Sequence, residues 1–214
     1  MNGPLLVIGG GGHARAVIEV AEAAGLTVGG IVERPGSGIT SVLGYPVVGS
    51  DADLPALARD FGAAVVAIGQ IRSPVPRREA YARLCGLGFA LPAVVSPLAR
   101  VSRHATLGAG TVVMHFACVN AGAVVGQNCI INTRALVEHD AIVGDHCHIS
   151  TGAILNGNVR TGDGCFVGSG TVCREGVVIG AGAVVGMGSV VSRDVEADTL
   201  FRTHHTHYTE KGIA

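Results

Sequence analysis

The sequence predicts a chain of two parts and a tail. Residues 1–94 read as a small α/β nucleotide-binding domain of Rossmann-like type, residues 95–196 as a parallel β-helix, and residues 197–214 as a C-terminal tail. Three observations carry this. Strand-like and helix-like segments alternate through the first part, which is the pattern of a parallel α/β sheet. Aliphatic residues then recur every sixth position for about a hundred residues. Finally, 33 glycines accompany only 4% aromatic residues and no Trp, so the core must be filled by small and β-branched side chains in a repetitive way.

Composition excludes several classes. With 15 Lys plus Arg against 16 Asp plus Glu, the net charge is −1, which argues against nucleic acid or an anionic membrane as partner. Apolar residues make up 48% and charged residues 14%, so the chain is not disordered. The mean hydropathy of +0.47 is high. No apolar run reaches the roughly 18 residues of a membrane-spanning helix, however. Met1-Asn2-Gly3-Pro4 lacks a basic leader region, and the six cysteines contain no CxxC pair. A cytoplasmic location with reduced thiols is the expectation.

In the first part, Leu5-Leu6-Val7-Ile8 is a short strand ending in four glycines, Gly9 to Gly12. A helix is predicted from His13 to Ala24, with Gly25 as its C-terminal stop. Thr27–Val32 is a second strand, ending at Glu33, and Val47-Val48 marks a third. Asp51 or Asp53 is placed to cap a helix running to Phe61. Ala63–Ile68 is a buried strand, and Ser73–Leu87 another helix. Gly9, Gly11 and Ala14 fit a G-x-G-x-x-A dinucleotide pattern, and Glu33 has the spacing of a ribose-binding acid. One such unit is half of a dinucleotide site. A nucleotide-linked ligand, a dinucleotide and a purely structural glycine turn all stay open on this evidence. His13 is either a ligand contact or a satisfied histidine at a helix start.

In the second part the six-residue series runs Val95, Val101, Leu107, Val113 and onward to Val191. Only Thr161 and Cys173 depart from aliphatic character. Four residues after each member stands a small or β-branched residue, from Ala99 to Val195, and glycine often follows the aliphatic directly. A period of six fits neither a helix nor a simple strand. It fits a strand-and-turn unit forming one side of a triangular coil, three units per turn. In this reading the aliphatic fills the interior, the small residue the corner, and the following glycine supplies a turn with positive φ. Cys129, Cys147 and Cys165 stand 18 residues apart in the small-residue position. They should stack in the interior, about 4.8 Å apart, as filler rather than as disulfides.

A nucleotide-type α/β domain followed by hexapeptide repeats resembles the bacterial sugar acyltransferases. The likeness is most specific at Ile8-Gly9-Gly10-Gly11-Gly12-His13-Ala14 and across Ile131 to Asp140. The resemblance implies a left-handed parallel β-helix and acetyl transfer from acetyl-CoA to the amino group of a nucleotide-linked amino sugar. It implies His139 as general base and Asp140 as its orienting partner. Many relatives carry Glu where Asp140 stands. Gly11, Gly12, His13, Glu33, Arg34 and Gly69 match the sugar-nucleotide pocket, although relatives often have an acid at Arg34. Asn132 matches a position near the reacting group of the sugar, with a simple turn amide as its competing role. His148, Ser169 and Met187 match residues along coenzyme A. The family forms homotrimers with sites between chains, and no metal is expected.

One departure is the end of the chain. Relatives carry a Gly-x-Pro-Ala-Lys/Arg loop there, whereas Asp198–Arg202 leads into Thr203-His204-His205-Thr206-His207-Tyr208, a cluster read as a solvated tail rather than a metal site. O-acetylation of a sialic-acid-like sugar is the alternative within the fold. A trimeric β-helical zinc enzyme using some of His115, His139, His146 and His148, and a non-catalytic sugar-nucleotide sensor, are alternatives of other classes.

Overall fold

The computed structural model describes residues 3–203; the His204, His205 and His207 cluster lies outside them. The first part is built from β1 (Leu5–Ile8), α1 (Gly12–Ala23), β2 (Val28–Val32), β3 (Ser41–Val42), β4 (Tyr45–Gly49), α2 (Leu54–Phe61), β5 (Ala63–Val66) and α3 (Val75–Gly86). Its sheet order is β3-β4-β2-β1-β5. β1 lies between β2 and β5, parallel to both. Burial on both faces explains why β1 and β5 are continuous apolar runs. Gly25, at φ +72, stops α1 as expected.

Two details differ from the sequence reading. β3 was not foreseen. It pairs antiparallel with β4 across Leu43 and Gly44, both at positive φ, a two-residue hairpin. Asp53 does stand before α2, yet its carboxylate accepts from the Ser50 amide and hydroxyl, both at 2.8 Å, and not from the helix. It ties the loop before the helix rather than capping it.

Eighteen two-residue strands follow, β6 (Val94–Val95) to β23 (Leu200–Phe201), in three parallel sheets of six, five and seven strands. Through the strand Val172–Cys173 each strand pairs with the one 18 residues on, as in Val101 with Val119 and Val119 with Val137. The aliphatic column lies inside, from Val119 through Val191, and Thr161 and Cys173 take their places in it. Cys129, Cys147 and Cys165 are buried free thiols, as expected. They continue a column begun by Thr111. Each hydroxyl or thiol meets a glycine carbonyl 15 residues on: Thr111 to Gly126 at 2.7 Å, Cys129 to Gly144 and Cys147 to Gly162 at 3.1 Å, and Cys165 to Gly180 at 3.0 Å.

The glycines after the aliphatics do a different job from the one expected. Positive φ falls two residues later, at Gly110, Phe116, Gly122, Asn128, Arg134, Asp140 and their successors at six-residue steps. A Cβ on Gly126 or Gly144 would instead stand 2.8 Å or 2.7 Å from the next coil's backbone. Close stacking of coils, not turn conformation, requires glycine there.

The last coil is also shorter than the rest. Ile179 bridges Val195, and Val185 pairs with Phe201, 16 residues on. Val195 therefore stands in line with the aliphatic Ile179 rather than at a corner. Residues 200–201, expected in the tail, add a strand to the coil.

The two parts share a core. Val94, Val112 and Met114, on the outside of the first coils, pack in one buried cluster with Ala14, Val17, Ile18 and Ala21 of α1. That contact sets the start of α1 beside one face of the coil.

Candidate active site

The residues singled out by sequence fall in separate places on the structure. The first is a cleft of about 730 Å³ at the C-terminal ends of β1, β2 and β5, where ligands bind in open α/β sheets. Its walls include Gly11, Gly12, His13, Glu33, Arg34 and Gly69. Glu33 accepts a short hydrogen bond from the Gly10 amide, which fixes the glycine loop. Arg34 reaches to within 3.9 Å of Glu33 and is otherwise exposed. A Cβ on Gly11 or Gly12 would meet nothing within 4 Å. Packing within the chain therefore does not demand glycine there, and the two bare positions leave the cleft wall open. The first turn of α1 has neither a side-chain cap nor an acidic residue, so its free amides suit a phosphate.

His13 stands on that turn. Its Nε2 is buried without a hydrogen-bond partner, and burial together with the charge of Arg77 pulls its pKa down to about 3. Its ring lies 6.3 Å from that of His148. His148 is only 7% exposed. One ring nitrogen, Nδ1, donates to the Gln70 carbonyl at 2.7 Å; the other, Nε2, accepts from the Asn132 amide at 3.0 Å. Both ring nitrogens of His148, a residue expected along coenzyme A, thus carry bonds within the chain. Asn132 Oδ1 accepts from the Thr133 amide at 2.8 Å.

The second arrangement is His139 and Asp140, on the turn after the strand Leu136–Val137. His139 Nδ1 lies 2.9 Å from Asp140 Oδ2, with the side chains 60% and 61% exposed. Asp140 takes the positive-φ place of its turn at φ 59, a conformation aspartate tolerates better than most residues. Its hydrogen bond, followed by its charge and that of Glu138, raises the His139 pKa above the ordinary 6.5. The Asp140 contact leaves Nε2 as the free nitrogen.

Sequence reasoning missed two glycines here. A Cβ on Gly157, one coil on from His139, would stand 2.6 Å from its Cε1. A Cβ on Gly122, one coil before Asp140, would collide with Oδ1. Adding and subtracting 18 from the dyad positions would have found both.

His139 and Asp140 do not line the cleft. Ser169 and Met187 are exposed on another corner, Met187 at 82%. Along that corner Gly152, Gly170 and Gly188 leave space that a Cβ would enter freely. Ser169 Oγ bonds Ser150 Oγ at 2.9 Å. Of the other histidines, His115 meets Ser96 and His146 meets Asn128. Among the described residues no three His, Cys, Asp or Glu side chains are grouped to hold a metal ion, and no helix is long and apolar enough to cross a membrane.

Comparison with known proteins agrees with this architecture. Residues 4–84 match the family model of the PglD N-terminal domain, and residues 158–193 that of the hexapeptide repeat of succinyl-transferase. No curated protein matches the chain. Among solved structures, a His-to-Asn variant of perosamine N-acetyltransferase from Caulobacter crescentus, in complex with CoA and GDP-perosamine, is 38% identical over 95% of both chains, with a TM-score of 0.89. The acetyltransferase domain of PglB from Neisseria gonorrhoeae, in complex with acetyl coenzyme A, is 38% identical over 95% of this chain and 97% of that one, with a TM-score of 0.87. WeeI from Acinetobacter baumannii is 27% identical over 92% and 95%, with a TM-score of 0.83.

The chain belongs to the hexapeptide-repeat sugar acyltransferase family. Within it, the chain is an acetyltransferase.

Proposed function

We propose that this enzyme transfers the acetyl group of acetyl-CoA directly to the amino group of a nucleotide-linked 4-amino sugar, with His139 as general base. The observation that carries the reading is the 2.9 Å contact between His139 Nδ1 and Asp140 Oδ2. It holds the Nδ1–H tautomer and turns the free Nε2 lone pair outward to take a proton. Asp140 orients the ring and stabilises the imidazolium that forms. The perosamine enzyme, crystallised in complex with CoA and GDP-perosamine, supports the substrate class.

The cleft takes the sugar nucleotide, with Gly11, Gly12 and the α1 amides at the phosphates and His13 and Gly69 toward the sugar. Glu33 and Arg34 stand on the same wall. The corner of Ser169 and Met187, with Gly152, Gly170 and Gly188 bare alongside, fits a slender pantetheine arm. When bound there, acetyl-CoA supplies the activated acyl group. The chain's own part is to orient the amine, take its proton at His139 Nε2 as the N–C bond forms and the thioester C–S bond breaks, return that proton to the departing coenzyme A thiolate, and offer an N–H to the thioester oxygen.

Because the dyad does not line the cleft, we read the working unit as a homotrimer in which one chain's cleft faces another's dyad. Exposed apolar columns on the two coil faces away from the α/β domain support this, with Val124, Ile142 and Val178 on one and Val172 and Val190 on the other. The six free cysteines favour a reducing, cytoplasmic setting.

A thiol-release assay with acetyl-CoA and a panel of UDP-, GDP- and dTDP-linked 4-amino sugars, plus free sialic acids, tests the proposal. Turnover is expected with one nucleotide amino sugar. Turnover with a free sialic acid alone, or with none of the panel, rejects it.

A further inference from the structure

We infer that Arg77 is a positioning residue of the sugar-nucleotide cleft: its buried positive charge, behind the cleft wall, is the fixed counter-charge of the ligand's diphosphate. The inference rests on the acetyl-transfer reading above. Four observations lead to it.

The first is burial without neutralisation. Arg77, on α3, is 1% exposed and is the one fully charged side chain among the described buried residues. No carboxylate among the described residues pairs with it. Its guanidinium donates only to neutral oxygens: Nη1 to the Ile68 carbonyl at 2.9 Å, and Nη2 to the Asn128 carbonyl and, at 3.1 Å, to Asn128 Oδ1. Nε is buried with no hydrogen-bond partner. A buried cation is stabilised by an opposite charge, and the chain supplies none. The second is place. Ile68, Gly69, Pro76 and Ala80 line the cleft, so the guanidinium is fastened directly behind its wall. Burial first, and the Arg77 charge second, pull the His13 pKa down to about 3. The field of Arg77 therefore reaches the turn of α1 assigned to the phosphates.

The third observation is the charge balance of the cleft itself. Its wall carries Glu33, Asp51 and Glu79 against Arg34 and Arg83. Both of these arginines already face an acid, Arg34 with Glu33 at 3.9 Å and Arg83 with Asp51 at 4.0 Å. The wall alone is therefore net negative, a poor seat for two phosphates. Arg77 and the uncapped amides of α1 reverse that sign. The fourth is screening. Salt screens charges that face water within about 10 Å at 0.1 M, but screens a charge sealed from water much less. Arg77 thus acts through the wall without touching the ligand, in a medium less polar than water. Its hydrogen bonds to Ile68 and Asn128 hold the charge in one place.

Three substitutions separate the charge from the packing. Asn128→Asp leaves Arg77 in place and seats a carboxylate where its guanidinium already bonds Oδ1; aspartate also tolerates the φ of 50 there. Arg77→Gln removes the cation and keeps an N–H donor. Arg77→Lys keeps the charge and gives up the fork. Binding of UDP, GDP and dTDP is measured by calorimetry, and folding by thermal unfolding. For the nucleotide that the wild-type enzyme binds, Asn128→Asp and Arg77→Gln should each weaken binding about tenfold or more. Arg77→Lys should weaken it less than about threefold while lowering the thermal midpoint. A purely structural role predicts the reverse order, with Asn128→Asp harmless and Arg77→Lys damaging. The loss in Asn128→Asp and Arg77→Gln should persist from about 50 mM to about 500 mM NaCl. Arg15→Gln, which removes an exposed cation from the same turn of α1, should show no loss at the higher salt. Wild-type affinity in Asn128→Asp, a loss in Arg77→Lys as large as in Arg77→Gln, or a loss abolished by salt would each overturn the inference. If either charge-removing variant does not fold, the other decides. A wild-type enzyme that binds none of the three nucleotides overturns the cleft reading and the inference with it, whereas equal binding by wild type and both charge-removing variants overturns the inference alone.

Discussion

The imidazole of His139 lies against the bare backbone of Gly157, one coil further along, where an added Cβ would stand 2.6 Å from Cε1 and 2.7 Å from Nε2. The ring is exposed and free to swing aside, so Gly157→Ala should leave the fold intact while displacing the base. A displacement of about 1 Å costs on the order of a hundredfold in rate. The expected result is a kcat/KM lower by that order with the thermal midpoint nearly unchanged. Undiminished turnover would show that the ring position is not set by this contact.

His139→Ala should lower kcat/KM by at least about a hundredfold. The pH dependence carries more information. A base works when neutral, so kcat/KM should rise with pH through the His139 pKa, which Asp140 holds above 6.5. Asp140→Asn removes the carboxylate and should move that rise to lower pH while lowering the plateau. A rise that stays in place after Asp140→Asn would sever the dyad.

His13 and His148 are buried neutral, with pKa values pulled down to about 3 and about 4 by desolvation. The unfolded chain binds protons at both near pH 6.5, whereas the folded chain does not. Stability from these two groups is therefore complete above pH 6.5 and is lost as pH falls from there toward 4. The slope approaches about 1.4 kcal/mol per pH unit for each histidine. Guanidinium unfolding at pH 7.5, 6.5, 5.5 and 4.5 should show the decline. A midpoint that holds steady between 6.5 and 4.5 would mean that these rings are not enclosed.

Thiol counting probes the coil interior. Cys85 is exposed and Cys118 half-buried, while Cys129, Cys147, Cys165 and Cys173 are buried; burial alone pushes the Cys173 thiol up to about 12. A disulfide reagent should label Cys85 quickly, Cys118 slowly and the other four only in denaturant. Fast labelling of more than two thiols in the native protein would contradict the stacked column.

Two glycine substitutions should part company. At Gly12 a Cβ enters open cleft, at the first residue of α1. Gly12→Ala should therefore fold at least as well as the wild type while raising KM for the sugar nucleotide. At Gly126 a Cβ would press on the backbone of the next coil at 2.8 Å. The coil spacing is set by hydrogen bonds and cannot widen, so Gly126→Ala should cost about 3 kcal/mol or more. Thermal unfolding of both variants, with sugar-nucleotide kinetics for Gly12→Ala, checks the pair.

Local regularity was legible in the sequence. Period six named the interior column, and it held even at Thr161 and Cys173, because each coil offers the same interior slot whatever fills it. The order of strands and helices in the first part was equally plain, except for the Ser41–Val42 strand, which is too short to carry a pattern. The glycines after the aliphatics were recognised but given the wrong reason, since close approach between coils involves residues 18 apart and leaves no local mark. The two-residue shortening near Val195 hid the last strand for a related cause: only pairing across coils reveals which residue faces which.

The chain's own residue order determined that there is a small α/β unit with an open glycine loop, a three-sided coil, and a His139–Asp140 pair on one of its turns. Those features depend on neighbours in sequence or on a repeat, so they can be read along the chain. Only the tertiary structure decided that His148 turns inward to Gln70 and Asn132, that Gly157 and Gly122 make room for the dyad, and that the dyad stands apart from the cleft. Each of these is a contact between distant segments, set by how α1 packs against the first coils and by how the coils stack.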